Sequence, residues 1–278
     1  MINIQNLDFS YSKQTELIKN LSLHLESGRI HGLLGKNGEG KSTLLKLISG
    51  LVFPQQGTIN VMDFDPQKRK PEMLQEIFFL AEELPQLTLS IENYEKVYAP
   101  FYPNFSSDQF NSYLKEFDVQ NKKAMLNKLS HGQKKKVMIA FGLASNTKLL
   151  LMDEPTNGLD IPSKGQFRRM VASSLEENRC LIISTHQVHD LESLIDSILI
   201  MENHEIVFNQ TIENITKKLL FKQTDRNEKS QDLIYEMETI RGVNQLCKNT
   251  SNEDSNLDIE LLFNAVISNN KTISELFN

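Results

Sequence analysis

The chain has 278 residues, 39% of them hydrophobic and 24% charged, with a formal net charge of −6. That balance excludes a disordered chain and allows a sizeable core, and it lacks the basic excess expected of a protein that neutralises nucleic-acid phosphates. The two cysteines, Cys180 and Cys247, have neither metal-ligand nor disulfide-framework spacing, so a reducing cytoplasm is the expected compartment.

The first residues, MINIQNLDFSYS, show no basic region followed by an apolar block, so no signal peptide is expected. The apolar stretches, such as VMIAFGLA, are shorter than the ~20 residues that span a bilayer. Alternation of apolar and polar residues at Ile2, Ile4, Leu7 and Phe9, and again at Leu21, Leu23 and Leu25, predicts half-buried strands. Short apolar runs follow at RIHGLLG, EIFFLA, KLLLMDE and RCLIISTH, separated by helical patterns, as expected of buried parallel strands with crossover helices. SILIMENHEIVF reads as a closing hairpin. Residues from about 83 to 145 lack such runs and are rich in aromatics and helix formers, which predicts an inserted helical subdomain. From about residue 216 to 278 a small mixed extension is expected, with NTSNEDSN (249–256) as a polar loop.

The most informative stretch is GKNGEGKST, residues 35–43, straight after the first of the buried runs. Gly35, four residues, then Gly40, Lys41 and Ser42 match GxxxxGK[ST]. A backbone that must curl its N–H groups around phosphates needs glycines where a side chain would obstruct it, here Gly35, Gly38 and Gly40. Lys41 brings a point charge to the β- and γ-phosphates, and Ser42 offers a hydroxyl to Mg²⁺. Asn37 and Thr43 are further candidate nucleotide contacts. The helix TLLKLIS aims its positive end at the anion.

LLLMDEP ends an apolar strand in Asp153 and Glu154. Alone, such acids begin a turn or cap a helix. Beside a phosphate loop they divide the work of γ-phosphate hydrolysis: Asp153 for Mg²⁺, Glu154 for the attacking water.

With these motifs in this order, residues 1–215 resemble the ATP-binding cassette family. LSHGQ (129–133) is similar to the family signature LSGGQ, Leu159 and Asp160 to its D-loop, and His186 in STH to its switch histidine. The resemblance implies an α/β P-loop NTPase core of RecA-like type, with an antiparallel β subdomain, the inserted helical subdomain and a C-terminal extension. It implies that Tyr11 stacks on adenine and that two cassettes pair head to tail. Ser130, Gly132 and Gln133 would then meet the partner's ATP, with Asp160 nearby. Read alone, Ser130 is an N-cap for HGQKKKVMIAFGLA and Tyr11 a packing aromatic. His186, His189 and Asp190 lack a further well-placed ligand, so they read as the start of a helix and not as a metal site.

Two positions depart from the family pattern. His131 replaces the signature's first glycine, putting a side chain into a tight interface. Glu82, or else Glu83, stands where the family has its Q-loop glutamine; Glu82 is the choice for reaching Mg²⁺-bound water. A bacterial branch shares this glutamate, many members pairing with export-type membrane subunits. The implied function is an ATP-hydrolysing transporter subunit using ATP and Mg²⁺. It would pair with an identical or related ATPase subunit and with separate transmembrane subunits, at the inner face of the membrane. The alternative is a soluble cassette ATPase acting on nucleic acid or the ribosome, which the acidic balance disfavours. Tyr94, Tyr98, Phe101, Tyr102 and Phe105 are expected to form the helical subdomain's own core, with a minority lining a groove for the partner. Lys134–Lys136 are expected on a solvated helix face.

Overall fold

The computed structural model describes residues 1–12, 15–188, 192–225, 230, 232–240, 242–251 and 253–277. The chain opens with β1 (Ile2–Ser12), β2 (Thr15–Leu25) and β3 (Arg29–Gly35), then α1 (Lys41–Ile48) and β4 (Gln56–Val61). Next come α2 (Pro71–Leu74), β5 (Ile77–Leu80), α3 (Ile91–Tyr98), α4 (Ser107–Glu116) and α5 (His131–Ala144). They are followed by β6 (Leu149–Asp153), α6 (Ile161–Ser173), β7 (Cys180–Thr185), β8 (Ser197–Glu202), β9 (Glu205–Thr211) and α7 (Ile212–Lys218). β10 (Leu219–Thr224), β11 (Leu233–Thr239), β12 (Gly242–Lys248) and α8 (Ile259–Phe277) complete the order.

The central sheet runs β5-β6-β7-β3-β8-β9, parallel except for the antiparallel edge pair β8–β9, the expected hairpin. Its strands read as unbroken apolar runs because both faces are covered. Alternation then sorts each strand between two cores. Leu149, Leu151, Cys180 and Ile182 face the antiparallel sheet β2-β1-β4 and helix α1. Leu150, Met152, Leu181 and Ile183 face α5 and the helical insertion. Burial pushes the Cys180 thiol up to about 12, so it stays a neutral, small hydrophobe.

The insertion is anchored by one ring. Phe141 of α5 lies 4.8 Å from both Tyr94 and Phe105, 5.7 Å from Phe110, and 5.8 Å from Phe78 of β5. The expected aromatic core is therefore real, with Tyr102 joining it and Tyr98 stacked on Tyr94. Phe101 departs from it, 66% exposed. Past residue 216 a third, antiparallel sheet, β10-β12-β11, is backed by α8. Its apolar residues do not form a separate core: Leu246, Ile259, Leu262 and Val266 merge with Ile198, Ile200 and Phe208 of the central sheet. Among the described residues, no helix is long and apolar enough to cross a membrane.

Candidate nucleotide site

Strand order positions the chemistry. β6, β7 and β3 are neighbours, with Asp153 beside Ser184 and Leu34 beside Thr185, so the three motif-bearing tips emerge side by side at the carboxyl edge. Ligands of open α/β sheets bind at such an edge. A cavity of about 480 Å³ opens there, lined by Asn37, Gly38, Gly40, Lys41, Ser42 and Thr43 on one side. Glu82, Asp153, Glu154, Asn157 and His186 line the other.

The loop has its shape because two of its glycines take positive φ, 89° at Gly38 and 111° at Gly40. A Cβ on Gly40 would meet the Leu17 carbonyl at 2.9 Å, and one on Gly35 the Met201 carbonyl at 2.7 Å. Any larger residue would lift the loop off its floor. Lys41 is buried and folds its ammonium back over that floor, donating to the carbonyls of Gly35 (2.7 Å) and Lys36 (3.0 Å). Burial lowers its pKa, while Glu154, Asp153, Glu39 and Glu82 pull the other way.

Glu154, 5% exposed, sits on a left-handed backbone with φ 47°. Its N–H donates to the backbone carbonyl of Ser184 at 3.1 Å. Its Oε1 accepts from the His186 backbone N–H (3.0 Å) and lies 2.7 Å from His186 Nδ1. With the imidazole proton on Nδ1, Oε1 accepts from the ring as well. Oε2 accepts from Thr185 Oγ1 at 3.2 Å. Each carboxylate oxygen accommodates about two donors. Oε1 is thus filled, and Oε2 keeps one acceptor direction for a water. Asp153 accepts from the Ser184 hydroxyl.

Glu82 is among the residues that line the cavity and Glu83 is not. Glu82 Oε1 accepts from Asn157 Nδ2 at 3.2 Å. Asn157 was missed by the sequence reading; its position between the acidic strand end and Leu159–Asp160 was the available signal. Ser130, Gly132, Gln133 and Asp160 do not line the cavity. Ser130 caps α5, its Oγ accepting from Gln133 N–H while the Gln133 side chain accepts from Ser130 N–H, a reciprocal capping box. Asp160 caps α6 through Ser163 N–H at 2.9 Å. Gly132 packs so close that a Cβ would lie 2.7 Å from the Gly158 carbonyl. The ring of His131 rests over Gly158 of its own chain, which is where the departure from the signature is accommodated. Tyr11 is 60% exposed, edge-on to Phe9 at 4.9 Å, and lies outside the cavity. His189 and Asp190 lie outside the described residues.

One expectation is corrected. Lys134–Lys136 do not form a solvated face: Lys134 and Lys135 are buried, and Lys136 pairs with Asp160 at 3.8 Å. The first turns of α5 run between the loops that follow β5 and β6, so polar side chains there meet backbone carbonyls instead of water.

The family profile described as ABC transporter matches residues 18–157, half of the chain. The lantibiotic transport ATP-binding protein SrtF of Streptococcus pyogenes is 32% identical over 213 residues, 76% of this chain and 90% of SrtF. The ABC transporter ATP-binding protein NatA of Bacillus subtilis is 27% identical over 242 residues, 83% of this chain and 94% of NatA. The bacitracin transport ATP-binding protein BcrA of Bacillus licheniformis is 29% identical, covering 82% of this chain and 76% of BcrA. Among solved structures, an ATP-binding subunit of an ABC transporter superposes with a TM-score of 0.69 at 23% identity, over 77% of this chain and 91% of the other. A dimeric post-hydrolysis state of the ATP-binding cassette MJ0796, bound to ADP and Pi, gives 0.66 at 22%, over 76% of this chain and 99% of the other. This α/β chain belongs to the ATP-binding proteins of ABC transporters. It is an ATPase, and its reaction is hydrolysis of ATP to ADP and phosphate.

Proposed function

We propose that this subunit pairs with a second cassette around two ATP molecules and uses their hydrolysis to drive separate membrane subunits outward. One observation carries the pairing: the phosphate-loop residues converge on a cavity that the signature residues of the same chain do not reach. Ser130, Gly132 and Gln133 have no phosphate to act on unless another chain supplies it. In such a pair the amino end of α5, with its N–H groups and positive dipole, faces the partner's γ-phosphate. Tyr11 is assigned to the adenine, and Asp160 to the partner-facing seam.

Residues 1–215 form the ATPase unit in this reading, with 216–278 as an extension. Ser42 and Asp153 would hold Mg²⁺, with Glu82 acting through a metal-bound water. Among the described residues no group of three or more His, Cys, Asp or Glu is arranged as a metal cage. That donor set fits an ion that keeps several waters and takes phosphate oxygens as ligands. The ion supplies charge neutralisation of the β- and γ-phosphates. Lys41, pinned at two carbonyls, has a third proton for a phosphate oxygen. Glu154 takes a water on Oε2 and accepts its proton as attack proceeds. His186 and Thr185 keep the carboxylate aimed while this happens.

The membrane partner is assigned to the helical insertion. A cleft of about 570 Å³ there is lined by Glu92, Glu95, Ala99, Pro100, Tyr102 and Phe105, with Val97 and Phe101 exposed close by in the chain. Outward transport is supported by Glu82 at the Q-loop position and by relatives named for lantibiotic and bacitracin transport. The test of pairing is the concentration dependence of ATPase activity of the isolated subunit. Specific activity should rise with concentration as pairs form. A constant specific activity from a demonstrated monomer overturns the reading.

A further inference from the structure

Lys135 is the least expected residue near the catalytic centre. It is 0% exposed. Burying an ammonium is costly unless it is well bonded. Its Nζ donates to two backbone carbonyls, Glu82 O at 3.1 Å and Glu154 O at 3.3 Å. Those carbonyls belong to the loops after β5 and β6, adjacent parallel strands paired at Leu80 and Met152. One side chain from the signature helix therefore ties together the two loops that present Glu82 and Glu154. Glu154 is the residue held at positive φ, a conformation that persists only when its surroundings enforce it.

The charge inventory points the same way. Glu82, Asp153 and Glu154 bring three carboxylates to the cavity, and Lys41 is the cation opposite them. These three acids are also the charges that favour the protonated form of Lys135, against burial, which disfavours it more strongly. A carboxylate at position 82 adds negative charge close to where a triphosphate must sit.

We propose that Lys135 is a positioning residue for hydrolysis, holding the Glu154 peptide in its left-handed conformation while offsetting the negative charge of Glu82. It is wholly enclosed by its own chain and acts through the two glutamates. The inference rests on the roles proposed above for Glu154 and Glu82, and it is independent of transport direction.

The test is a double-mutant cycle on the full chain, read as steady-state kcat and KM for ATP. Lys135→Met keeps the apolar stem and removes both donor and charge. It should lower kcat by about ten- to a hundredfold, the usual range for residues that orient a catalytic group, with KM changed less than about threefold. Adding Glu82→Gln should then restore about tenfold of the lost kcat, because the unbalanced acid is gone. A lysine that merely supports the fold would give no such rescue. If Lys135→Met does not fold, Lys135→Gln, which retains one amide donor, enters the same cycle. Unchanged kcat in the lysine variant, or a loss that Glu82→Gln leaves untouched, overturns the proposal.

Discussion

The phosphate-loop end and the signature end of this molecule are built on opposite plans. At the first, Lys41, Asp153 and Glu154 are buried, and their polar atoms are engaged by neighbouring strands and by the loop itself. That half is held in place by contacts within its own chain, which limits the ordering that binding requires. At the second, the side chains of Ser130 and Gln133 cap each other's backbone N–H groups. The capping box makes a stable helix start, with Ser130 and Gln133 outside the cavity of their own chain. On the proposed pairing, one chain would supply the acids and the phosphate loop, and its partner the group that meets the γ-phosphate from the far side.

Substitutions at the two ends should separate accordingly. Glu154→Gln keeps the shape of the prebuilt end and removes its base. Its kcat should fall by about 10²–10⁴, while ATP still binds and light scattering detects a trapped dimer. An ATP-loaded variant that stays monomeric would erase the contrast between the ends. Lys41→Ala should weaken ATP binding by about ten- to a hundredfold, the worth of one charge-assisted hydrogen bond, measured by calorimetry. Ser130→Ala should act differently. It should lower turnover several-fold and cost about 1 kcal/mol of helix capping, yet leave ATP binding by the monomer unchanged. Equal effects of Ser130→Ala on binding and turnover would mean that the signature end also serves its own chain.

The smallest effect concerns the strand that feeds the loop. His31 in β3 is buried, its Nδ1 against Ser197 Oγ and its Nε2 within 3.1 Å of the Glu26 carbonyl. Burial lowers its pKa from 6.5, aided by Arg29; the Glu26 carbonyl, Asp196 and the Glu26 carboxylate oppose this only in part. The native state therefore binds fewer protons than the unfolded chain near and below that value. The contribution of His31 is complete above pH 6.5 and is lost as pH falls towards the lower folded-state value. Denaturant melts above and below that pH should show this loss, and His31→Gln should flatten it.

Much of the site was legible because phosphate chemistry demands fixed spacing. Gly35, Gly40, Lys41 and Ser42 cannot move relative to one another, and Asp153 and Glu154 at the end of an apolar strand gain their meaning from that loop. Ser130 as an N-cap followed from local chemistry and is found so. Lys135 was not legible. A run of three lysines reads as a wet surface, and only tertiary structure reveals that two loops distant in sequence close over the middle one. Asn157 was hidden for a related reason, since its partner Glu82 lies on another strand's loop. The third sheet was foreseen as a mixed piece, but its union with the central core was not, because alternating half-polar strands do not announce which surface they will cover.

One later feature bears on how relatives should be compared. A second cavity, about 500 Å³, has Leu34, Gly35, Lys36 and the segment Thr185–Val188 on one side and Glu260, Phe263 and Asn264 of α8 on the other. His186, which contacts Glu154, is therefore also a wall of a chamber roofed by α8. Two proteins with identical motifs but different tails would give that histidine different neighbours. Differences in turnover among such proteins should be sought in the tail as well as in the motif alignment.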